Sequence, residues 1–177
     1  MKFLLSRQFR IGLIVFSFIL FLASSWINAQ TIPEDYGAKG ALKDPRLTYE
    51  KALEYAIEDE YLAQERYTKV IQKYGQVFPF PKIQEAEKKH IEALKRLYNK
   101  ANLSIPENQA KQYTVMPASI KVALQQAVQA EIDNIAMYNR FLEIKNLPPN
   151  ATKVFTNLRD ASKKHLVAFN FGLSQQQ

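Results

Sequence analysis

Four stretches of the chain repeat apolar residues at alternating steps of three and four, the spacing that places them on one face of an α-helix. The pattern predicts helices over about 48–74, 82–102, 117–145 and 152–171. No stretch of any length alternates apolar and polar residues in the manner of a β-strand. The sequence therefore predicts an all-α fold built from four helices.

The breaks between these stretches predict the topology. Gly75 ends the first helix, and short turns join the first helix to the second and the third to the fourth, so that each pair forms an antiparallel hairpin. The link over 103–116 can extend by on the order of 45 Å, whereas a helix of about 25 residues is about 37 Å long. The link can therefore cross the whole length of a bundle, which predicts two antiparallel hairpins joined by a long crossover.

The N-terminus has the layout of a secretory signal peptide. Basic residues, Lys2, Arg7 and Arg10, precede a 17-residue apolar run, and Ala29 offers a small residue before a cleavage point. We expect residues 1–29 to be removed and the protein to be exported, to the periplasm or the outside of the cell. An uncleaved membrane anchor is the alternative, because 17 apolar residues lie at the short edge of the spanning range.

Removal of the leader leaves 177 − 29 = 148 residues, enough for one domain with its own core. We expect an extended lead-in over 30–46, the four-helix bundle over 47–171 and a C-terminal tail over 172–177. The chain contains no cysteine. This excludes a lipoprotein anchor, disulfides, zinc–thiolate sites and iron–sulfur clusters.

The net positive charge without the leader is smaller than that of the whole chain. The whole chain carries a net charge of +7, but the leader takes three of the 24 basic residues and none of the 17 acidic ones, which leaves 21 − 17 = +4. The remaining Lys and Arg are spread over all four helices rather than clustered, so nothing indicates nucleic-acid binding. After leader cleavage we expect no stable membrane insertion, and a homodimer is compatible with the sequence.

Each apolar stripe is interrupted by polar residues. The interruptions are Glu60 in the first helix, Glu87 and His90 in the second, Glu131 in the third, and Ser162 and His165 in the fourth. Burial of an unpaired carboxylate is costly, and no Lys or Arg lies in any of these stripes. The interruptions could each be a helix-edge or satisfied core residue, but together they favour a bound divalent cation as the neutralising partner.

The polar residues also agree in height along the bundle. Glu60 and Glu87 lie 15 and 12 residues from Gly75, and Glu131 and His165 lie 17 residues on either side of the second turn. Residues equidistant from the turn of an antiparallel hairpin sit side by side. The spacing therefore predicts one polar layer across all four helices.

The motifs around these residues resemble those of the ferritin-like superfamily of carboxylate-bridged di-metal proteins. In that pattern two helices each supply a Glu and two each supply a Glu-x-x-His. "EKKH" (87–90) matches the second motif, and "EYLAQERY" (60–67) and "EIDNIAMY" (131–138) resemble the first. With "YGQVFPF" and the final "SKKHLVAF", the chain is most similar to an uncharacterised family of secreted prokaryotic ferritin-like domains.

The resemblance implies specific roles for these residues. Glu87 would bridge, Glu60 and Glu131 would be terminal ligands, and both histidines would bind through their rings. Hard carboxylates with imidazole suit Fe, Mn or Zn better than copper(I). With the resemblance, we expect one or two ions of Fe or Mn rather than Zn. Tyr67 and Tyr138 would donate hydrogen bonds to the opposite carboxylates, with plain aromatic packing as the alternative.

Ser162 departs from the superfamily pattern, which has a second bridging Glu at this position. Three carboxylates leave two divalent ions with a net charge of +1, and Asp133 and Asp160 face away from the site. A mononuclear centre and an open or asymmetric di-metal centre both stay possible on this evidence.

Two functions follow from this interpretation. The first is an exported metal-binding redox protein that handles Fe or Mn and reacts with O₂ or peroxide. The second is a non-catalytic helical bundle that serves as a structural or interaction module and keeps a relict site. A cage that stores iron is disfavoured by the leader and by the missing ligand.

Overall fold

The computed structural model describes residues 31–176, and the leader prediction for residues 1–29 lies outside them. In this range the chain forms six helices and no strand. They are α1 (Gly37–Lys43), α2 (Tyr49–Tyr74), α3 (Phe80–Ala101), α4 (Ala110–Tyr113), α5 (Ile120–Leu142) and α6 (Pro149–Ser174). The all-α prediction is confirmed, and the four long helices are the four predicted ones.

The long helices pair as α2 with α3 and α5 with α6, which gives the two predicted hairpins of a ferritin-like bundle. Local signals fix where these helices begin and end. The Thr48 hydroxyl accepts the Lys51 N–H at 3.2 Å and so caps α2. Gly75 ends α2 with a φ of 78°, a backbone conformation that favours glycine.

The lead-in prediction over 30–46 is wrong in its centre, where the chain forms α1 instead of an extended segment. Glycine and proline suggested irregular backbone, but here small residues allow close packing of a short helix against α2 and α5. At Gly40 an added Cβ would lie 2.7 Å from the Tyr55 ring. Tertiary contact therefore stabilises a helix that the local composition disfavours.

Several further boundaries differ from the predictions. Helix α5 runs over Ile120–Leu142 rather than 117–145, because the Ser119 side chain caps its first turn. Helix α6 begins at Pro149 rather than near residue 152, since proline is well tolerated in the first turn. It continues to Ser174, so the predicted tail over 172–177 begins within a helix. The crossover over 103–116 contains the short helix α4.

The bundle core consists of two apolar clusters. The larger one lies towards the α1 end and includes Leu53, Leu94, Phe141 and Phe155. The smaller one lies at the other end and is built on Tyr67, Phe80, Leu124 and Phe169. The polar residues predicted from the stripes fall between these clusters along α3, α5 and α6. Among the residues that the structure describes, no helix is both long enough and apolar enough to cross a membrane.

Candidate metal centre

The structure brings the five predicted ligand residues into one buried layer. Each of these residues is at most 9% exposed, and each long helix contributes at least one. They are Glu60 from α2, Glu87 and His90 from α3, Glu131 from α5 and His165 from α6. The equal heights predicted from the sequence are therefore observed.

Glu87 lies at the centre of the layer. One of its oxygens, Oε2, is 2.6 Å from His90 Nδ1, and the other, Oε1, is 3.2 Å from His165 Nδ1. A second carboxylate completes each side: Glu60 Oε2 lies 3.2 Å from His90 Nδ1, and Glu131 Oε1 lies 3.5 Å from His165 Nδ1. Two triads of potential ligand atoms thus share the Glu87 carboxylate.

These contacts suit a shared metal ion better than hydrogen bonds alone. One ring N–H can point at a single acceptor, yet each Nδ1 is approached by oxygens from two carboxylates. Glu87 Oε1 is only 3.2 Å from the buried His165 Nδ1. Among residues 31–176 this nitrogen nevertheless has no hydrogen-bond partner, because the ring N–H does not point at the oxygen. Ligand atoms about 2.1 Å from one ion at right angles lie about 3 Å apart without pointing at each other.

The two imidazole rings face each other across the layer. Their centroids are 5.6 Å apart and the ring planes differ by 21°. His90 and His165 come from the pseudo-equivalent hairpins, so the repeated Lys-Lys-His phrase corresponds to two equivalent positions around one carboxylate. The residues present therefore fit one divalent ion in each triad.

Two buried tyrosines hold the outer carboxylates. The Tyr67 hydroxyl donates to Glu131 Oε1 at 3.0 Å, and the Tyr138 hydroxyl donates to Glu60 Oε1 at 2.7 Å. Each tyrosine thus reaches the glutamate on the opposite helix of the α2–α5 pair, as the resemblance implied. Such hydrogen bonds orient a carboxylate. At Glu60 they leave the other oxygen, Oε2, facing His90, whereas at Glu131 the same Oε1 accepts from Tyr67 and faces His165.

At residue 162 the layer has a hydrogen-bond network in place of a fourth carboxylate. The Ser162 hydroxyl donates to Asn134 Oδ1 at 2.7 Å. The Asn134 amide in turn donates to Asp59 Oδ2 at 2.9 Å and lies 3.5 Å from Glu60 Oε1. The other two acids considered from the sequence lie outside the layer, since Asp133 accepts from Gln129 and Asp160 pairs with basic side chains on its own helix.

Sequence reasoning missed Asp59 as a neighbour of the site. It precedes a ligand residue and so lies about 100° from it around the helix, at the flank of the apolar stripe. Its Oδ1 accepts the Ala38 N–H at 3.0 Å, which ties α1 to the edge of the layer. This contact of Asp59 could not be predicted, because α1 itself was not predicted.

The rubrerythrin family model matches residues 51–171 of the chain, which include every residue of the layer. The chain belongs to the rubrerythrin family. Neither a curated protein nor a solved structure is significantly similar to it. Membership of the rubrerythrin family confirms the ferritin-like prediction and implies a divalent metal site, typically of iron, which the two Glu/His triads support.

Without metal, burial and the neighbouring charges shift the pKa values of the residues in this rubrerythrin layer. Burial lowers the pKa of each histidine, but the neighbouring carboxylates outweigh it and raise the pKa to about 10 for His90 and about 9 for His165. Burial acts to raise the pKa of Glu87, but the two neighbouring imidazoles hold it below its usual value. Burial raises the pKa of Glu60 and Glu131. Protons thus compete with metal for the imidazoles.

The metal-free protein is therefore expected to lose stability as the pH rises from about 6.5 to 10. In this range the folded histidines still hold protons that the unfolded chain, with a histidine pKa of about 6.5, has released. Urea denaturation with a chelator, at pH 6.5 and pH 9, measures the free energy of unfolding. With metal present, deprotonation favours ligand binding, so the pH dependence should be weaker or reversed. A metal-free protein more stable at pH 9 would contradict this assignment.

Removal of one tyrosine hydroxyl tests the carboxylate support. Tyr67→Phe is expected to weaken metal affinity by about 10- to 100-fold, because Glu131 loses the donor that orients it. Competition with a chromophoric chelator measures the change. Tyr98→Phe is the matched control. The buried Tyr98 hydroxyl lies outside the layer and has no hydrogen-bond partner among the described residues. Equal affinities for the two variants would show that Tyr67 only packs.

Proposed function

We propose that the protein is an exported redox protein that binds Fe or Mn in the Glu/His layer and reacts with peroxide or O₂. The observation that carries the proposal is the Glu87 carboxylate shared by two imidazole triads. Glu87 would bridge, Glu60 with His90 would complete one position, and Glu131 with His165 would complete the other. Two ions of this kind supply the two electrons that peroxide reduction to water requires.

The protein supplies a small and largely dry reaction site. A cavity of about 10 Å³ lies beside the layer, lined in part by Glu60, Glu87, Glu131 and Ser162. That volume holds about one water-sized molecule. The short Ser162 side chain leaves room where the superfamily pattern has a carboxylate. The space therefore suits hydrogen peroxide or O₂ better than a larger oxidant.

The charge of the layer bears on the number of ions. Three carboxylates and two neutral imidazoles carry −3, so one divalent ion leaves −1 and two leave +1. Two triads of ligand atoms are present, and a hydroxide beside Ser162 would neutralise the second case. We therefore favour an asymmetric two-ion centre in which the position of Glu131 and His165 binds more weakly, because His165 shares α6 with Ser162.

Peroxide reduction in the absence of O₂ tests the proposal. The Fe(II)-loaded protein should consume one H₂O₂ for every two Fe(II) oxidised, with uptake of two protons and release of two waters. Ferric absorbance and residual peroxide can be followed together. The account fails if the loaded protein consumes peroxide no faster than the same concentration of free Fe(II) or than metal-free protein.

Export is part of the proposal and rests on the N-terminal sequence. Cleavage after Ala29 would give a mature chain that begins at Gln30. Mass spectrometry of the protein from a fractionated host measures the mass of the N-terminal peptide. An intact leader in the cytoplasmic fraction would contradict export, whereas an intact leader in the membrane fraction would favour the anchor. Sedimentation of the same sample tests whether the protein forms a homodimer.

A non-catalytic role is the second candidate, and the 2.6 Å contact between Glu87 and His90 favours it. Such a pair can hold a buried layer together without metal. In that case the double variant Glu87→Leu with His90→Leu would leave the stability unchanged or raise it, because it relieves the desolvation of both groups without leaving one of them buried alone. If metal is bound, the same double variant should reduce the stability measured with metal present.

A further inference from the structure

A second, larger pocket lies beside the metal layer. It has a volume of about 380 Å³, within the range of small-molecule sites, and lies between the segment 31–44, α2 and α5. The pocket and the small cavity at the metal layer share three wall residues, Asp59, Arg66 and Ala130. A molecule in this pocket would therefore be a direct neighbour of the metal centre.

The outer wall of the pocket is made by α1 and the residues before it. This segment lies outside the residues that the rubrerythrin family model matches, which begin at 51. It is fixed to the bundle by defined contacts: the Gly37 N–H donates to Glu58 at 2.9 Å, and Arg140 donates to the Asp44 carbonyl at 2.7 Å. The pocket is therefore a built feature of this chain rather than a general groove of the bundle.

Most charged groups of the pocket wall have partners. Asp59 accepts from two donors, and Asp133 Oδ1 accepts from Gln129 at 2.9 Å. Lys39 and Lys43 both pair with the exposed Glu34. Both carboxylates accept from uncharged donors that fix them in place, and Glu34 offsets the two lysines, so none of these groups is left free to pair with a ligand.

Arg66 differs from the other charged groups of the wall. Within residues 31–176 its guanidinium has neither a hydrogen-bond acceptor nor an ion-pair partner. It lines the pocket, the cavity at the metal layer and a third cavity of about 330 Å³ that adjoins the pocket. A half-buried guanidinium without an acceptor is suited to bind an anion, and its planar fork matches a carboxylate with two parallel hydrogen bonds.

The remaining wall is apolar. Ile32, Leu42 and Leu62 line the pocket together with the Tyr36 ring. We propose that this pocket binds a small organic carboxylate, with its charged end on Arg66 and its apolar body against α1. This site is distinct from the Glu/His layer and goes beyond the proposed redox function, because it requires no metal.

Calorimetric titration of the metal-free protein with benzoate tests the proposal, with benzamide as the neutral probe of the same shape. We expect benzoate to bind about 10-fold or more tightly than benzamide, the gain of a charge-assisted pair. Arg66→Gln should reduce benzoate binding to the level of benzamide. Arg96→Gln, which removes the same charge from an exposed position on α3, should leave it unchanged.

A second variant keeps the test decisive if Arg66→Gln does not fold. Leu42 is 37% exposed, so Leu42→Glu should fold and place a negative charge on the pocket wall. We expect it to weaken benzoate binding several-fold with little effect on benzamide. Equal binding of benzoate and benzamide, or no benzoate binding at millimolar concentration, would overturn the proposal. Because the titrated protein is metal-free, neither result depends on the metal centre.

Discussion

The Glu87→Gln variant is expected to bind metal at least about 100-fold more weakly than the unmodified protein and to lose both positions together. Glu87 is the carboxylate that contacts both imidazoles, at 2.6 Å and 3.2 Å. Glutamine has nearly the same shape but carries no charge, and its amide nitrogen cannot coordinate. Loss of a ligand should exceed the 10- to 100-fold effect of losing a group that only orients one.

Glu85→Gln is the matched control for this variant. Glu85 lies on the same helix, two residues away, but it is exposed and pairs with Lys88 at the surface. Titration of both variants with Fe(II) or Mn(II) against a chelator of known affinity gives the comparison. Glu85→Gln should bind like the unmodified protein. Glu87→Gln with unchanged affinity at either position would exclude Glu87 as the bridge.

Metal binding is also expected to raise the melting temperature by about 10 °C. Free metal at 1,000 times its dissociation constant stabilises the folded state by about 4 kcal/mol, and a chain of this size gains about 2–4 °C for each kcal/mol. The effect should be large because the metal ion supplies positive charge to carboxylates that are buried away from water. Differential scanning calorimetry with and without chelator measures the shift.

The shift should depend on the layer rather than on charge in general. Glu87→Gln should melt at nearly the same temperature with metal and with chelator, whereas Glu85→Gln should keep the full shift. Ca²⁺ serves as a second control, since it prefers all-oxygen sites with more ligands than the layer offers. Equal shifts with Ca²⁺ and Fe(II) would point to nonspecific binding at surface acids.

The bundle could be predicted because its helices are long and regularly patterned. The stripe of α3 is apolar apart from Glu87 and His90, so both the helix and its buried polar face are apparent in one dimension. The turn at Gly75 is equally local, because one residue supplies the unusual backbone angle. Features of this kind depend on spacing and residue type alone.

Helix α1 could not be predicted in the same way. Gly37 and Gly40 indicate irregular backbone, and α1 is stable only because it packs against α2 and α5. The hydrogen bond of Asp59 to this region, and the place of Arg66 on the pocket wall, depend on that packing. The pocket beside the metal layer could therefore not be predicted from the sequence, because its wall residues come together only when α1 packs on the bundle.

The Ser162 position shows the limit of an argument from single residues. The sequence shows that a carboxylate is missing there, but it does not show what replaces it. In the structure Ser162 and Asn134 form a neutral hydrogen-bonded pair that reaches Glu60 on α2. Three helices contribute to this arrangement, so only the assembled bundle makes it apparent. It leaves the two halves of the layer chemically unequal.

Anomalous diffraction from crystals grown with Fe(II) tests the central claim most directly, because it locates the ion itself. The account predicts an iron peak about 2.1 Å from His90 Nδ1 and bonded to Glu87, with a weaker or partly occupied peak beside His165 Nδ1. Iron found only at surface acids, or absent while both imidazoles keep their contacts with the carboxylates, would contradict it.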